Sequence, residues 1–172
     1  QFMQNCTLLW CDETNATALV DPGGEMKHLL SVIADHGLTL TAVWLTHGHL
    51  DHVGAADEIR QATGCPIIGP HPADAFWLQA LPAQSEMFGF PLTEAFVPDR
   101  WLNEGETLTL GNQQLQVLHC PGHTPGHVVF LHQPSKLALV GDVLFQGSIG
   151  RTDFPQGNHS DLIASITEKL LP

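Results

Sequence analysis

Hydrophobic and polar positions alternate along this chain in short runs, and their period switches between that of a strand and that of a helix. Residues 6–10 and 16–20 read as two strands around a polar turn at 12–15. Asp21-Pro22-Gly23-Gly24 is a second turn, with proline fixing one backbone angle and glycine freeing the next. Met26, Leu29, Leu30 and Ile33 then recur at helical spacing, and Gly37 stands where a helix C-terminal glycine belongs. Residues 38–45 predict a buried strand ending on Thr46. Ala55, Ala56, Ile59 and Ala62 predict a second helix that stops near Gly64, and 66–69 a short strand. Further on, strands at 107–110 and 115–118 flank Gly111-Asn112, a hairpin signal. A second pair, 128–131 and 137–140, surrounds Pro134-Ser135, and 161–171 closes as an amphipathic helix. This alternation is that of a layered α/β domain. The stretch 70–98, rich in proline and phenylalanine, is either a partly helical hydrophobic excursion beside a site or a loop packed over the core.

At 172 residues and 18.7 kDa the chain is sized for one domain. Six Lys and Arg stand against 18 Asp and Glu, a formal charge of −12, which argues against a phosphate-binding surface for nucleic acid and against a polybasic membrane anchor. With 43% hydrophobic and 14% charged residues the composition is globular, and no apolar run approaches the ~18 residues of a spanning helix. Cys6, Cys11, Cys65 and Cys120 form no CxxC pair, so they read as reduced thiols of a cytoplasmic protein. The chain opens on Gln1 and closes on Leu170-Leu171-Pro172, so 1–172 reads as a single domain cut at both ends. Eleven histidines among so few basic residues are the unusual count.

Thr46-His47-Gly48-His49-Leu50-Asp51-His52 packs four potential metal ligands into six residues, between a predicted strand and a predicted helix. Imidazole and carboxylate suit zinc, iron or manganese. In extended or turn backbone the i and i+2 positions share one side, so His47 and His49 can grip one ion while Asp51 and His52 fall toward a second. Pro121-Gly122-His123-Thr124-Pro125-Gly126-His127 adds histidines on a rigid Pro/Gly loop. Gly141-Asp142 places a carboxylate after an apolar strand, where it can bridge two cations or simply cap a turn.

HxHxDH, the HTPGH loop and the GDxLF segment, in this order, resemble the metallo-β-lactamase fold. Within that fold the chain is similar to type II glyoxalases, the hydroxyacylglutathione hydrolases, in their short bacterial form. The resemblance implies a four-layer αββα sandwich with a two-metal site on one edge of the packed sheets. It implies that His47, His49 and His123 hold the first metal, that Asp51 and His52 hold the second, and that Asp142 bridges. His127 is then a neighbour of the ligands, and His28, His36, His71, His132 and His159 are ordinary core or surface residues. The family adds a last histidine from a C-terminal strand and loop beyond Pro172, so the resemblance implies that the second site and the second sheet lack an element in this fragment. The glutathione-binding members carry a lysine and a tyrosine after GDxLF. Here those positions are Arg151 and Asp153, and the chain has no tyrosine. Arg151 can hold a substrate carboxylate with its guanidinium fork, or pair with a neighbouring acid.

The implied activity is hydrolysis of a small-molecule thioester, S-lactoylglutathione or a related hydroxyacylglutathione. Two divalent ions, zinc first and iron or manganese as alternatives, activate a bridging hydroxide that Asp51 and Asp142 help to hold. Alternatives on the same fold are a lactonase or β-lactamase and a mononuclear iron persulfide dioxygenase. Outside enzymes, a metal-binding scaffold domain is the competing class.

Overall fold

The structure, a computed structural model, describes residues 3–171. Strand β1 (Thr7–Trp10) pairs antiparallel with β2 (Ala16–Val20), β2 runs parallel to β3 (Thr39–Trp44), and β3 parallel to the short β4 (Ile67–Ile68). Parallel neighbours need crossovers. These are helix α1 (Met26–Asp35) between β2 and β3, then α2 (Leu50–Val53) and α3 (Ala56–Thr63) between β3 and β4. Helices α1 and α3 end at His36 and Gly64, close to the glycines that predicted those stops.

The excursion at 70–98 is partly helical, with a 3-10 turn at Pro72–Asp74, then α4 (Ala75–Gln79) and α5 (Leu81–Phe88). The second sheet is an antiparallel meander of β5 (Thr107–Leu110), β6 (Gln113–His119), β7 (Val128–His132) and β8 (Leu137–Leu139). A small ribbon, β9 (Leu144–Phe145) with β10 (Ser148–Ile149), turns at Gly147, whose φ of 76° a side chain would strain. The hydrophobic pattern gave no sign of this ribbon, because strands of two residues carry no readable period. The last helix also departs from expectation. Helix α6 (His159–Ala164) passes into a π-helical stretch, Ser165–Leu170, in which the Leu171 N–H donates to the Ile166 carbonyl.

Strand alternation decides the layers. Ala18, Val20, Ala42 and Trp44 face inward and meet Leu115, Val117, Val128 and Phe130 of the second sheet. Trp44 and Phe130 lie ring to ring at 5.5 Å in that interface. On the outer face of the first sheet, Leu19, Val43 and Leu45 bury against Ile59 of α3 and Leu29 of α1. Outside the second, Leu118 and Val129 bury against Leu162 and Ile166. Each such large apolar side chain contributes about 1.5–3 kcal/mol on burial. The result is a four-layer αββα sandwich, as the sequence implied. Among the described residues no helix is long and apolar enough to cross a membrane.

Strands β2 and β3 release the chain at Asp21 and Thr46, on the same edge where β6 and β8 end. There the Val128 N–H donates to the Thr46 carbonyl at 2.8 Å, tying the two sheets together beneath the histidine loops.

Candidate metal centre

Three imidazole nitrogens meet at this edge. His47 Nε2 lies 3.1 Å from His49 Nδ1, and His123 Nε2 lies 3.0 Å from the same atom. The opposite ring nitrogens settle which tautomer His123 and His47 take. His123 Nδ1 donates to the Arg151 carbonyl at 2.8 Å, so its Nε2 is a bare lone pair. Thr46 Oγ1 spends its proton on Asp21 Oδ2 at 2.6 Å and is left to accept from His47 Nδ1 at 3.0 Å, so His47 Nε2 is bare as well. Lone pairs aimed at one point repel unless a cation lies between them. Ligands at 2.0–2.1 Å on a tetrahedral ion stand roughly 3.3–3.4 Å apart, within a few tenths of an ångström of these separations. The donor set therefore fits a divalent metal.

Burial keeps these rings neutral and ready to ligate. It pushes His47 well below its ordinary value, with neighbouring imidazoles adding to the effect, and brings His49 down to about 3. His123 is lowered too, again by burial first.

Beside this cluster lies a second group. His52 Nδ1 donates to Asp21 Oδ2 at 2.9 Å, which turns Nε2 toward Asp142 Oδ1 at 3.3 Å and Asp51 Oδ2 at 3.8 Å. His52 Nε2 is buried and faces these carboxylates without a well-aligned hydrogen bond, as suits an atom shaped for a ligand. Asp142 presents its other oxygen, Oδ2, to His123 Nε2 at 3.4 Å, so one carboxylate reaches both groups. Burial alone would raise Asp142, yet its contact with His52 wins and holds it at about 2. Conversely His52 is raised to about 10: burial opposes the charge, but the carboxylates of Asp142 and Asp21 outweigh it. Asp51 is raised by burial. Asp21, His47 and His52 also cluster, but both Asp21 oxygens already accept hydrogen bonds, from Thr46 and His52, and that trio orients ligands rather than adding one.

All six residues named from the sequence, His47, His49, Asp51, His52, His123 and Asp142, are thus brought to one edge. His127 is a supporting residue: its Nε2 accepts the Asp142 N–H at 3.0 Å, and its ring stacks on His47 at 4.7 Å. Arg151 takes the pairing alternative. Its Nε and Nη2 bond both oxygens of Asp153, at 2.6 and 2.5 Å, and its guanidinium lies 4.5 Å over the Phe154 ring. Phe154 and Trp77 in turn pack edge-on to His49, at 4.8 and 4.4 Å.

Four supporting residues escaped the sequence reading: Asp21, Thr46, Asp74 and Gln84. Asp21 had a signal, for it holds a left-handed φ of 52° while buried, in the Asp-Pro-Gly-Gly turn directly after a strand. Gln84 accepts the Leu50 N–H and donates to the Trp77 carbonyl, both at 2.9 Å, from inside the helical excursion. No local pattern marks it.

The sequence profile of the metallo-beta-lactamase superfamily matches residues 1–172. The hydroxyacylglutathione hydrolase GloC of Haemophilus influenzae is 53% identical over 99% of this chain and 81% of its own length. Among solved structures, the BLEG-1 B3 metallo-beta-lactamase superposes with a TM-score of 0.89 at 39% identity, covering 98% of this chain and 81% of that one. TTHA1623, crystallised in a di-iron-bound form, gives 0.87 at 36% identity, covering 98% and 82%. With its αββα layers, converging imidazoles and matching profile, this chain belongs to the metallo-beta-lactamase superfamily and is a metal-dependent hydrolase.

Proposed function

We propose that this protein hydrolyses a thioester, S-lactoylglutathione or a related hydroxyacylglutathione, to a hydroxy acid and a free thiol. The observation that carries the proposal is the pair of imidazole groups joined by Asp142, in a chain 53% identical to a hydroxyacylglutathione hydrolase. In this reading residues 1–172 act as one domain. His47, His49 and His123 hold a first ion, Asp51 and His52 a second, and Asp142 spans both, with zinc the ion of choice and iron or manganese its substitutes. When bound, such ions polarise the carbonyl and make water a nucleophile at neutral pH.

The chain's own residues do the rest. Asp142 stays ionised, and His127 fixes its backbone. Of the two carboxylates facing His52 Nε2, burial raises Asp51 while the contact with His52 holds Asp142 down. The Cys6 and Cys120 thiols are pushed up to about 12 by burial and supply no nucleophile. A departing thiolate needs no general acid, since free thiols ionise near pH ~8.5. Trp77 and Phe154 wall off water beside His49.

Structural likeness to the BLEG-1 B3 metallo-beta-lactamase favours β-lactam hydrolysis as a second reading. The test is turnover of S-lactoylglutathione by the zinc-loaded chain, with His49→Ala as control, beside parallel assays on a lactone, a β-lactam and glutathione persulfide with oxygen uptake. Thioester turnover that vanishes in the control supports the proposal. Turnover of one of the other substrates alone, or of none with metal bound, overturns it.

A further inference from the structure

The Asp74 carboxylate is fully enclosed and draws its partners only from neutral donors. Its Oδ2 accepts the Gly48 N–H at 2.9 Å and the Thr124 hydroxyl at 2.8 Å, and its Oδ1 accepts the Gly126 N–H at 2.6 Å. Gly48 sits between His47 and His49, and Thr124 follows His123. One side chain therefore ties together the two loops that carry all three converging imidazoles, from positions far apart in sequence. The approach is tight on both sides. A Cβ on Gly126 would stand 2.6 Å from Asp74 Oδ1, and one on Gly48 would stand 2.6 Å from the Trp77 Cβ. The same turn adds a backbone link, as the His71 N–H donates to the Gly126 carbonyl at 3.1 Å. An ion buried without a countercharge is a poor device for stability alone, because its desolvation is offset only in part by neutral donors.

We infer that Asp74 is the positioning residue of the first metal centre, setting the separation of the His47–His49 loop from the His123 loop so that their nitrogens converge on one ion. The inference rests on reading His47, His49 and His123 as that ion's ligands. It goes further in assigning metal affinity to a residue that touches no metal. The Thr124 hydroxyl and the two glycine N–H groups are its working contacts.

Cobalt(II), titrated into the metal-free full chain and followed by its visible absorption, reports ligand geometry directly. Asp74→Asn offers one oxygen and an NH2 group to three donors, so at least one loop loses its anchor. Cobalt affinity at the first centre should fall about 10–100-fold, as when partners of metal ligands are removed elsewhere. The absorption band should shift, while the metal-free protein melts within a few degrees of the unsubstituted chain, because the buried donor left unpaired is offset by removal of a buried charge that has no countercharge. Thr124→Val should weaken cobalt in the same direction by less, and Thr124→Ser, which keeps the hydroxyl, should restore it. Wild-type affinity and spectrum in Asp74→Asn overturn the inference. So does a metal-free melting temperature that drops by more than a few degrees in both Asp74→Asn and Thr124→Val, since Asp74 would then be holding the fold and not the metal. Should Asp74→Asn not fold, the threonine pair decides: equal affinity in Thr124→Val and Thr124→Ser overturns the proposal. No cobalt bound by the unsubstituted chain overturns the ligand reading first and this one with it, a result distinct from all the others.

Discussion

Three of the imidazoles at the edge of the sandwich are oriented through the nitrogen that faces away from their neighbours: His47 by Thr46, His123 by the Arg151 carbonyl, His52 by Asp21. His49 is held instead between aromatic rings, and its Nε2 finds no partner. Orientation by a hydrogen bond leaves the ligand atom free and its tautomer determined, which is what a metal requires of a neutral histidine. The same logic of occupied donors applies to Arg151. Its fork already grips Asp153, in the bidentate geometry a substrate carboxylate would use. If Arg151 receives the carboxylate of the proposed thiol carrier, that carboxylate has to displace Asp153. Asp153→Asn should lower KM for an anionic thioester a few-fold with kcat unchanged, and leave KM for an uncharged thioester where it was. The pair is exposed, so the gain is small, as for exposed ion pairs generally. Steady-state kinetics on the two substrates checks it, and an unchanged KM for the anionic one removes Arg151 from the binding site.

Among the elements, the regular strands and helices were legible because burial on alternating or helical faces leaves its period in the sequence. The pattern at 16–20 predicts a strand and β2 forms there, and the glycines at 37 and 64 mark where α1 and α3 stop. The candidate metal ligands were legible for a different reason: four donors in six residues are rare by chance. The excursion at Pro72–Phe88 was not legible in its purpose. Its value lies in buried polar groups that each reach a partner more than twenty residues away, and local sequence does not say which backbone N–H a glutamine or aspartate will meet. Gln84 shows the consequence. It caps the start of α2, the helix that carries Asp51 and His52, and it is buried. Gln84→Leu preserves the volume but strands the Leu50 N–H and the Trp77 carbonyl. Each buried group left unpaired costs about 1–3 kcal/mol. Urea unfolding of the metal-free protein should therefore show a lower midpoint at an unchanged m-value. An unchanged midpoint would mean that water reaches α2 and that the excursion is not its cap.

For the whole molecule, the concentration of buried ionisable groups at one edge makes stability a function of pH with a calculable shape. His47, His49, His123 and His127 are depressed below 6.5 by burial, His49 to about 3. Below that pH the unfolded chain takes up protons that the folded one refuses, so stability is lost as pH falls from 6.5 toward 3. Asp142, held at about 2, loses its contribution on the same side, as pH falls from 3.8. Asp74 works in the opposite sense. Burial raises it from 3.8 to about 6 and raises Asp51 as well, so stability declines with rising pH across that interval, but two carboxylates stand against four imidazoles. His52, raised from 6.5 to about 10, stabilises the metal-free fold fully below 6.5 and ceases to as pH climbs to 10. The metal-free protein should accordingly melt highest near pH 6.5 and lower on both sides. Metal changes both limbs: once His52 Nε2 gives its lone pair to an ion, the proton it held is released, no further loss accompanies the rise to pH 10, and the acid limb steepens because the unfolded chain now takes up a proton on His52 below 6.5 that the metal-bound fold refuses. Calorimetric melting across this range, in chelator and in zinc, separates the two limbs. A metal-free melting temperature that keeps rising above pH 7 would show that the proton between His52 and Asp142 is not there to lose, and that their carboxylate–imidazole contact needs the metal to form.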